Sequence, residues 1–289
     1  MFERFARGWE LVKQSWHVLK KDKELMLFPI LSSLACIIVT ASFILPIFVA
    51  PDAIGPWFER LFGQKGTTLD YVIGIGILFL FYFLTYFMII FFNCALAACA
   101  IIRYKGGDPT LGDGLRASVA RLPQIFAWTF VAATVGLILQ QIEQRSEGIG
   151  RFVVGLIGAA WSVVTYLVIP VLVVEKVGPI DALKRSATLV KDTWGESLAG
   201  NVSMGFIGFL VSIPGAVLIV VGVMMLNQLQ PVGWVAVVLG IAWVLATSVL
   251  FATLKQIFLA GVYVYAADGK VPDGFEEDSL KSTFRSKDA

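Results

Sequence analysis

Three acidic side chains, Asp108, Asp113 and Asp181, are the residues whose type and position could support chemistry at a membrane surface. Carboxylates can act as general acids or bases for a surface enzyme. Acidic residues also favour the first turn of a helix, where they satisfy and stabilise its positive end. Because the helix-start interpretation explains all three, we expect no catalytic residue and no enzyme, with surface catalysis kept as an alternative.

Metal and cofactor chemistry has little support in the sequence. His17 is the only histidine, which leaves no histidine-based zinc site and no Ser/His pair. The three cysteines, Cys36, Cys94 and Cys99, lie in apolar stretches without the basic neighbour that activates a thiol. We therefore predict no metal and no cofactor.

A second set of candidates is aromatic and basic, which suits contact with lipid or protein. Trp9, Val12 and Trp16 recur at helical spacing on one predicted face, and Lys13 and Lys20 are assigned to the opposite, polar face. Aromatic rings at the apolar boundary and basic side chains that reach phosphates are typical of a helix in the headgroup region. The alternative is a helix that only fixes the tilt of the first span. Further candidates for lipid or partner contacts are Arg116, Lys184, Arg185, Lys191 and Trp194.

Small and polar residues predict where helices approach closely. Asn93 stands among alanines and cysteines and is the candidate intramembrane polar contact. Packing between helices is the simpler interpretation, and contact with a ligand or ion is the alternative. The pairs Gly155/Gly158 and Gly205/Gly208 also predict close helix contacts.

Long apolar stretches must position these residues. Of the 289 residues, 57% are hydrophobic and 15% are charged, whereas a soluble domain carries about 25% charged residues. A membrane-spanning helix needs about 20 apolar residues, and in hydrocarbon a helix satisfies its own backbone. The sequence predicts six transmembrane helices, within the uncharged ranges 25–50, 71–102, 122–142, 152–174, 198–226 and 234–254.

Lysine and arginine are distributed unequally between the two sides of these spans. Of the 23, 19 lie in the N-terminal segment, the second and fourth connections and the C-terminal segment. Cytoplasmic loops carry such an excess, so we expect both termini in the cytoplasm and the protein in a prokaryotic cytoplasmic (inner) membrane. Anionic lipid of the cytoplasmic leaflet is the expected partner, with a protein partner possible. The net charge of +2 does not indicate nucleic acid.

An internal repeat is indicated by matching segments before pairs of spans. The run Leu-Val-Lys-Gln-Ser-Trp at 11–16 aligns with Leu-Val-Lys-Asp-Thr-Trp at 189–194. The run at 113–118 aligns with that at 181–186 in the same way. We interpret these as marking interfacial amphipathic helices, each followed by a transmembrane hairpin. Coincidence in a biased composition is the alternative, and the middle segment is the weakest match.

The predicted fold is therefore an all-α polytopic membrane protein built from three such repeats. A single membrane domain would occupy 1–269, with units of about 1–104, 105–176 and 177–269. The segment 270–289 mixes charges with Pro, Gly and Ser and is expected to be a mobile cytoplasmic tail.

Several of these segments resemble an uncharacterised prokaryotic family of six-span membrane proteins. They are 7–16 with 23–29, then 106–116, then 178–186. The resemblance extends to about Gly269 and implies a six-span fold without an assigned activity. The segment 183–194 also resembles the membrane domain attached to some glycerophosphodiester phosphodiesterases, whose catalytic barrel and metal-binding residues this sequence lacks.

Three functions remain under consideration. The preferred one is a non-catalytic scaffold or adaptor that binds lipid or partner proteins through its basic cytoplasmic side. The alternative is a permease or channel for a neutral or apolar solute, supported by the repeat and by Pro170 and Pro214. Proton-coupled transport is disfavoured, because the six stretches contain no Asp, Glu, Lys, Arg or His. A surface enzyme is the third.

Overall fold

The computed structural model describes residues 2–63, 66–192, 197–226, 229–272 and 275, and side chains from residue 9 onward except 62, 192 and 197–203. The structure is 88% helix, and the described ranges contain no strand, which confirms the all-helical prediction. The helices are α1 (Phe2–Lys21), α2 (Leu27–Val49), α3 (Pro51–Phe62), α4 (Thr68–Tyr104), α5 (Leu111–Val119), α6 (Leu122–Arg145), α7 (Ile149–Val164), α8 (Val168–Glu175), α9 (Pro179–Asp192), α10 (Ser197–Met225) and α11 (Gln230–Asp268).

Six helical segments in the described ranges are long and apolar enough to cross a membrane. They are α2 with the 3-10 turn that precedes it, α4, α6, α7 together with α8, α10 and α11. The six predicted spans are therefore confirmed by length and composition. The repeat stays a prediction, and most of the expected tail lies outside the described residues.

The core of the molecule lies at one end of the bundle. Helices α4 and α11 have 37 and 39 residues, so each is about 55–60 Å long, against about 30 Å for a bilayer core. Their C-terminal parts are buried on all sides, over 94–101 of α4 and 256–264 of α11. Helices α1, α5, α8 and α9 pack around these parts. We call this assembly the collar.

The fourth span is interrupted between α7 and α8, at residues 165–167. Pro170 explains the break, because its ring cannot donate a hydrogen bond and clashes with the preceding helical turn. The backbone N–H of Leu167 donates instead to the hydroxyl of Ser186 on α9, at 3.0 Å. The interruption is thus satisfied within the protein, as irregular backbone at membrane depth requires. By contrast, Pro214 lies within continuous α10.

Glycines set how closely α10 and α11 pack. A Cβ atom added at Gly222 would lie 2.8 Å from the carbonyl oxygen of Gly233, and one added at Gly240 would lie 2.7 Å from that of Gly215. The helices therefore touch backbone to backbone, as small residues permit in membranes. Of the glycine contacts predicted from sequence, that of Gly208 is confirmed. Those of Gly155, Gly158 and Gly205 are wrong, because a Cβ there would meet nothing within 4 Å.

Candidate functional site

The first helix packs one side into the collar and presents another side outward. Leu11, Ser15 and Val18 are buried against the bundle, where α1 contacts α10 and α11. Trp9 and Trp16 are 44% and 40% exposed. The burial therefore separates the tryptophans from the side of the helix that holds it in place.

Basic residues share the outward side with these tryptophans. In helical register, Lys13 and Lys20 lie on the same side as Trp9 and Trp16. The predicted separation of the aromatic and basic residues onto opposite faces is therefore wrong for these four residues. The Lys20 Nζ stands 5.9 Å from the centroid of the Trp16 ring, within the range of a cation–π contact. The Lys13 Nζ lies 3.2 Å from the Glu10 carboxylate. We call Trp9, Lys13, Trp16 and Lys20 the outer face of α1.

The other basic candidates divide into exposed and structural residues. Lys184 and Lys191 on α9 are exposed, and the Arg116 side chain on α5 is 84% exposed. Arg185 is different, because its Nε donates to Glu175 Oε1 at 2.9 Å. Trp194, which is also a predicted site residue, lies outside the described residues.

The Glu175 carboxylate joins three elements of the collar. Its Oε1 accepts the bond from Arg185 on α9 and a second one from the hydroxyl of Tyr263 on α11, at 3.1 Å. Glu175 itself ends α8. The charged groups of Arg185 and Glu175 therefore hold helices together, which makes Arg185 a structural residue as well as a candidate contact.

A second ionic junction ties the end of α4 to the connection between α1 and α2. The Arg103 guanidinium donates to both carboxylate oxygens of Asp22 and also to Asp108. The side chains of Asp22 and Arg103 are only 8% and 18% exposed. Sequence reasoning missed this pair, since the two residues are 81 positions apart and no spacing rule relates them.

The acidic residues predicted to start helices do not all do so. Asp113 does, because its Oδ2 accepts from the backbone N–H of Thr110 at 3.0 Å, and its own N–H donates to the Thr110 hydroxyl at 3.2 Å. The bond from the Thr110 hydroxyl lowers the pKa of Asp113. Asp181 lies in the first turn of α9. Asp108 precedes α5 and pairs with Arg103, so its helix-start assignment is wrong.

A polar cavity of about 440 Å³ opens beside the ionic junction. Its rim holds Lys20, Lys23 and Glu24, and its floor includes Phe28 and Cys99. Charges of both signs line it, so the cavity has no clear preference for an anion or a cation. In the described ranges, no group of three His, Cys, Asp or Glu side chains is placed to hold a metal ion.

The predicted intramembrane contact, Asn93, is partly buried in α4, one residue before the fully buried run. No hydrogen bond of its side-chain amide is formed within the part of the chain that the structure describes. Its role in helix packing or ligand contact stays a prediction.

These observations define the class: an all-helical, multi-pass membrane protein with a packed, ion-paired collar at one end of its spans. Residues 72–274 match DUF6159, a family of unknown function, and the chain belongs to that family. The prediction of an uncharacterised family is thereby confirmed. The likeness to the membrane domain of glycerophosphodiester phosphodiesterases has no support from these comparisons. No curated protein matches the sequence.

Proposed function

We propose that this protein is a non-catalytic membrane scaffold or adaptor that binds anionic lipid and partner proteins through its collar. The observation that carries the proposal is the outer face of α1. Two tryptophans stay open on a helix whose other side is buried in the core. Burying a large apolar side chain contributes about 1.5–3 kcal/mol relative to leaving it exposed. A surface with two exposed tryptophans is therefore suited to bind lipid or a partner protein.

The chemistry of the outer face fits the headgroup region of a bilayer. Tryptophan is enriched at membrane interfaces, because its ring is apolar and its N–H seeks a polar partner. Lys13 and Lys20 flank the rings and can extend to phosphates. A partner protein with an acidic segment would use the same groups.

The orientation of the collar is part of the proposal. Of the 19 lysines and arginines on the predicted cytoplasmic side, 16 lie in described residues, in or just after α1, in the two connections at the collar end and towards or just past the end of α11, and Lys281, Arg285 and Lys287 lie outside the described residues. Following the positive-inside rule, we infer that these basic residues lie in the cytoplasm, and we propose that the spans cross a prokaryotic inner membrane. There, anionic lipid attracts basic side chains.

A non-enzymatic role agrees with how the collar uses its acidic groups. Asp22 and Asp108 pair with Arg103, and Glu175 pairs with Arg185. Asp113 caps α5. Each of these carboxylates has a structural partner, which supports a framework rather than a reacting centre.

Equal burial at aligned positions supports three repeated units. Leu11 and Leu189 are both 2% exposed, and Ser118 and Ser186 are both fully buried. We infer that α1, α5 and α9 are equivalent helices, each preceding its own hairpin.

The test is retention of anionic lipid and partners by the full chain. The double variant Trp9→Ala/Trp16→Ala is compared with Trp57→Ala/Trp234→Ala, whose tryptophans are 56% and 60% exposed at the other end of the bundle. Native mass spectrometry counts phosphatidylglycerol bound from an equal mixture with phosphatidylcholine, and cross-linking in membranes records partners. We expect only the α1 variant to lose anionic lipid and partners. Equal behaviour of the two double variants would contradict the proposal.

The interruption between α7 and α8 favours a second candidate, a permease for a neutral or apolar solute. Broken helices form substrate sites in many transporters. Here the freed N–H of Leu167 is bonded to Ser186, which supports a static role instead. Proteoliposomes screened for uptake of neutral solutes decide between the two, since uptake above that of empty vesicles favours the permease.

A further inference from the structure

The close packing of α10 and α11 ends near the collar. Glycines at seven-residue intervals bring the helices together at Gly222/Gly233 and at Gly215/Gly240. One interval further, Gly208 meets the ring of Phe251 rather than backbone. A Cβ at Gly205 would meet nothing within 4 Å. The two helices therefore separate, and the bulk of Phe251 holds them apart.

The separation leaves an outward-facing groove of about 290 Å³. Phe209 and Phe251 supply apolar walls, Gly205 leaves the floor open, and Lys255 lies at one end. The Ser212 hydroxyl already donates to the Phe209 carbonyl at 2.7 Å. Thr247 and Ser248 also line the groove, and the Thr247 hydroxyl donates to the carbonyl of Trp243 in its own helix at 2.9 Å. The groove is therefore mainly apolar, with a few hydroxyl groups and a single cation.

Within the described residues, Lys255 has no protein counter-charge. It is exposed, and the described part of the chain forms no ion pair with it. On α11 the only other charged residue is Asp268, at the last position. A cation on an otherwise apolar, outward-facing helix is costly unless its amine reaches polar groups.

The position of Lys255 along α11 indicates that its amine reaches the headgroup region. It lies 25 residues after Gln230, the first residue of α11, which corresponds to about 37 Å along the helix. A bilayer core is about 30 Å thick. Neighbouring residues Leu254 and Ile257 are buried in the collar. Lys255 thus lies where hydrocarbon meets headgroups, and the groove runs from it towards the middle of the membrane.

We propose that this groove binds one anionic phospholipid of the collar-side leaflet. Lys255 contacts the phosphate, and part of one acyl chain lies over Gly205 between Phe209 and Phe251. An anionic headgroup is the occupant because it supplies the missing negative charge, whereas a zwitterionic one brings a cation of its own. The site uses no residue of the outer face of α1 and goes beyond the adaptor proposal.

The test uses the full chain and two groove variants, each with a matched control. Lys255→Gln removes the charge, and its control is Lys270→Gln, an exposed lysine just past α11. Gly205→Leu fills the groove, and its control is Gly155→Leu, an equally open glycine on α7. Native mass spectrometry measures binding of phosphatidylglycerol and of phosphatidylcholine with the same acyl chains.

We expect the wild-type protein and both controls to hold one phosphatidylglycerol through delipidation. Lys255→Gln should lower its affinity about fivefold and abolish the preference over phosphatidylcholine. Gly205→Leu should remove the bound lipid whatever its headgroup. If both groove variants hold the lipid as the wild type does, the inference is wrong and the lipid is adventitious.

A cross-linking measurement covers the case in which Gly205→Leu fails to fold. Phosphatidylglycerol with a photoreactive acyl chain should label wild-type peptides that contain Phe209 or Phe251. Labelling confined to other helices would overturn the groove assignment. If only Trp9→Ala/Trp16→Ala loses lipid, the adaptor proposal is supported and the groove assignment is wrong. If only the groove variants lose lipid, the groove assignment is supported and the adaptor proposal is wrong.

Discussion

The two ends of α4 lie in different surroundings although they belong to one continuous helix. Near its start, Leu69 and Ile75 are each 67% exposed, while Cys94 and Ala95 near its end are fully buried. Helix α11 shows the same change, from exposed Trp234 to fully buried Phe258. The collar end is packed as the interior of a soluble protein is packed, whereas the opposite end relies on lipid to cover it.

The chemistry of the two ends differs accordingly. The collar combines small residues that allow close approach, such as Gly114, with ion pairs such as Asp22–Arg103. The opposite end combines large apolar side chains with the glycine seam of α10 and α11. We conclude that the collar supplies specific structure to this protein, and that the opposite end anchors it.

Breaking the buried ion pair should have the largest effect. Arg103→Gln leaves the carboxylate of Asp22 buried without its partner, which costs about 3–5 kcal/mol of unfolding free energy. The control Arg116→Gln removes an exposed arginine 3.7 Å from Asp113 and should cost about 0–1 kcal/mol. Equilibrium unfolding in detergent measures both. Equal losses of unfolding free energy in the two variants would contradict a buried ionic junction.

Overpacking the collar should come next. A Cβ at Gly114 would lie 2.7 Å from the carbonyl oxygen of Ala95 and 2.7 Å from the Cys99 sulfur. Gly114→Ala should therefore destabilise the fold by about 1–3 kcal/mol. At Gly112 the nearest atom would be 3.7 Å away, so Gly112→Ala serves as the control. The same unfolding transition is the measurement, and a stable Gly114→Ala variant would show that α5 packs more loosely.

Overpacking the opposite end should cost less. Gly240→Ala places a methyl group against the backbone of Gly215. Two lipid-facing helices can move apart, so we expect about 1 kcal/mol, at the low end for overpacking. Gly76→Ala, at a position that meets nothing within 4 Å, should leave stability unchanged. A larger loss for Gly240→Ala than for Gly114→Ala would reverse the comparison between the two ends.

Removing a helix cap should have the smallest effect. Thr110 caps α5 in the collar, and Thr67 caps α4 at the opposite end through an equivalent pair of bonds with Asp70. Thr110→Ala should speed hydrogen exchange in the first turn of α5 only, and Thr67→Ala should do so in α4 only. Exchange that rises throughout the collar in Thr110→Ala would show that the cap holds more than its own helix.

Sequence reasoning succeeded where a local rule applied. The six spans followed from apolar length, and the Asp113 cap followed from a helix-start pattern. It failed where residues distant in the chain meet. The Asp22–Arg103 pair and the contacts of Gly215 and Gly222 depend on how whole helices pack, which no local pattern encodes.

The inward side of α1 shows the same limit. Spacing predicted that Trp9, Val12 and Trp16 would share one apolar face. The structure buries Val12 while both tryptophans remain open. One side of the helix packs against protein, and another side is exposed. Hydrophobic spacing identifies the apolar residues, but it cannot tell which of them pack against protein.

The most direct test of the account is to determine on which side of the membrane the collar lies. Single cysteines are introduced by Lys105→Cys at the collar end and Asp52→Cys at the opposite end, both exposed positions, with Cys36→Ala removing the partly exposed native thiol. Intact cells are treated with a membrane-impermeant maleimide. We predict labelling at position 52 and none at position 105 until the membrane is opened. Labelling of position 105 from outside would place the collar on the wrong side and contradict the proposed role.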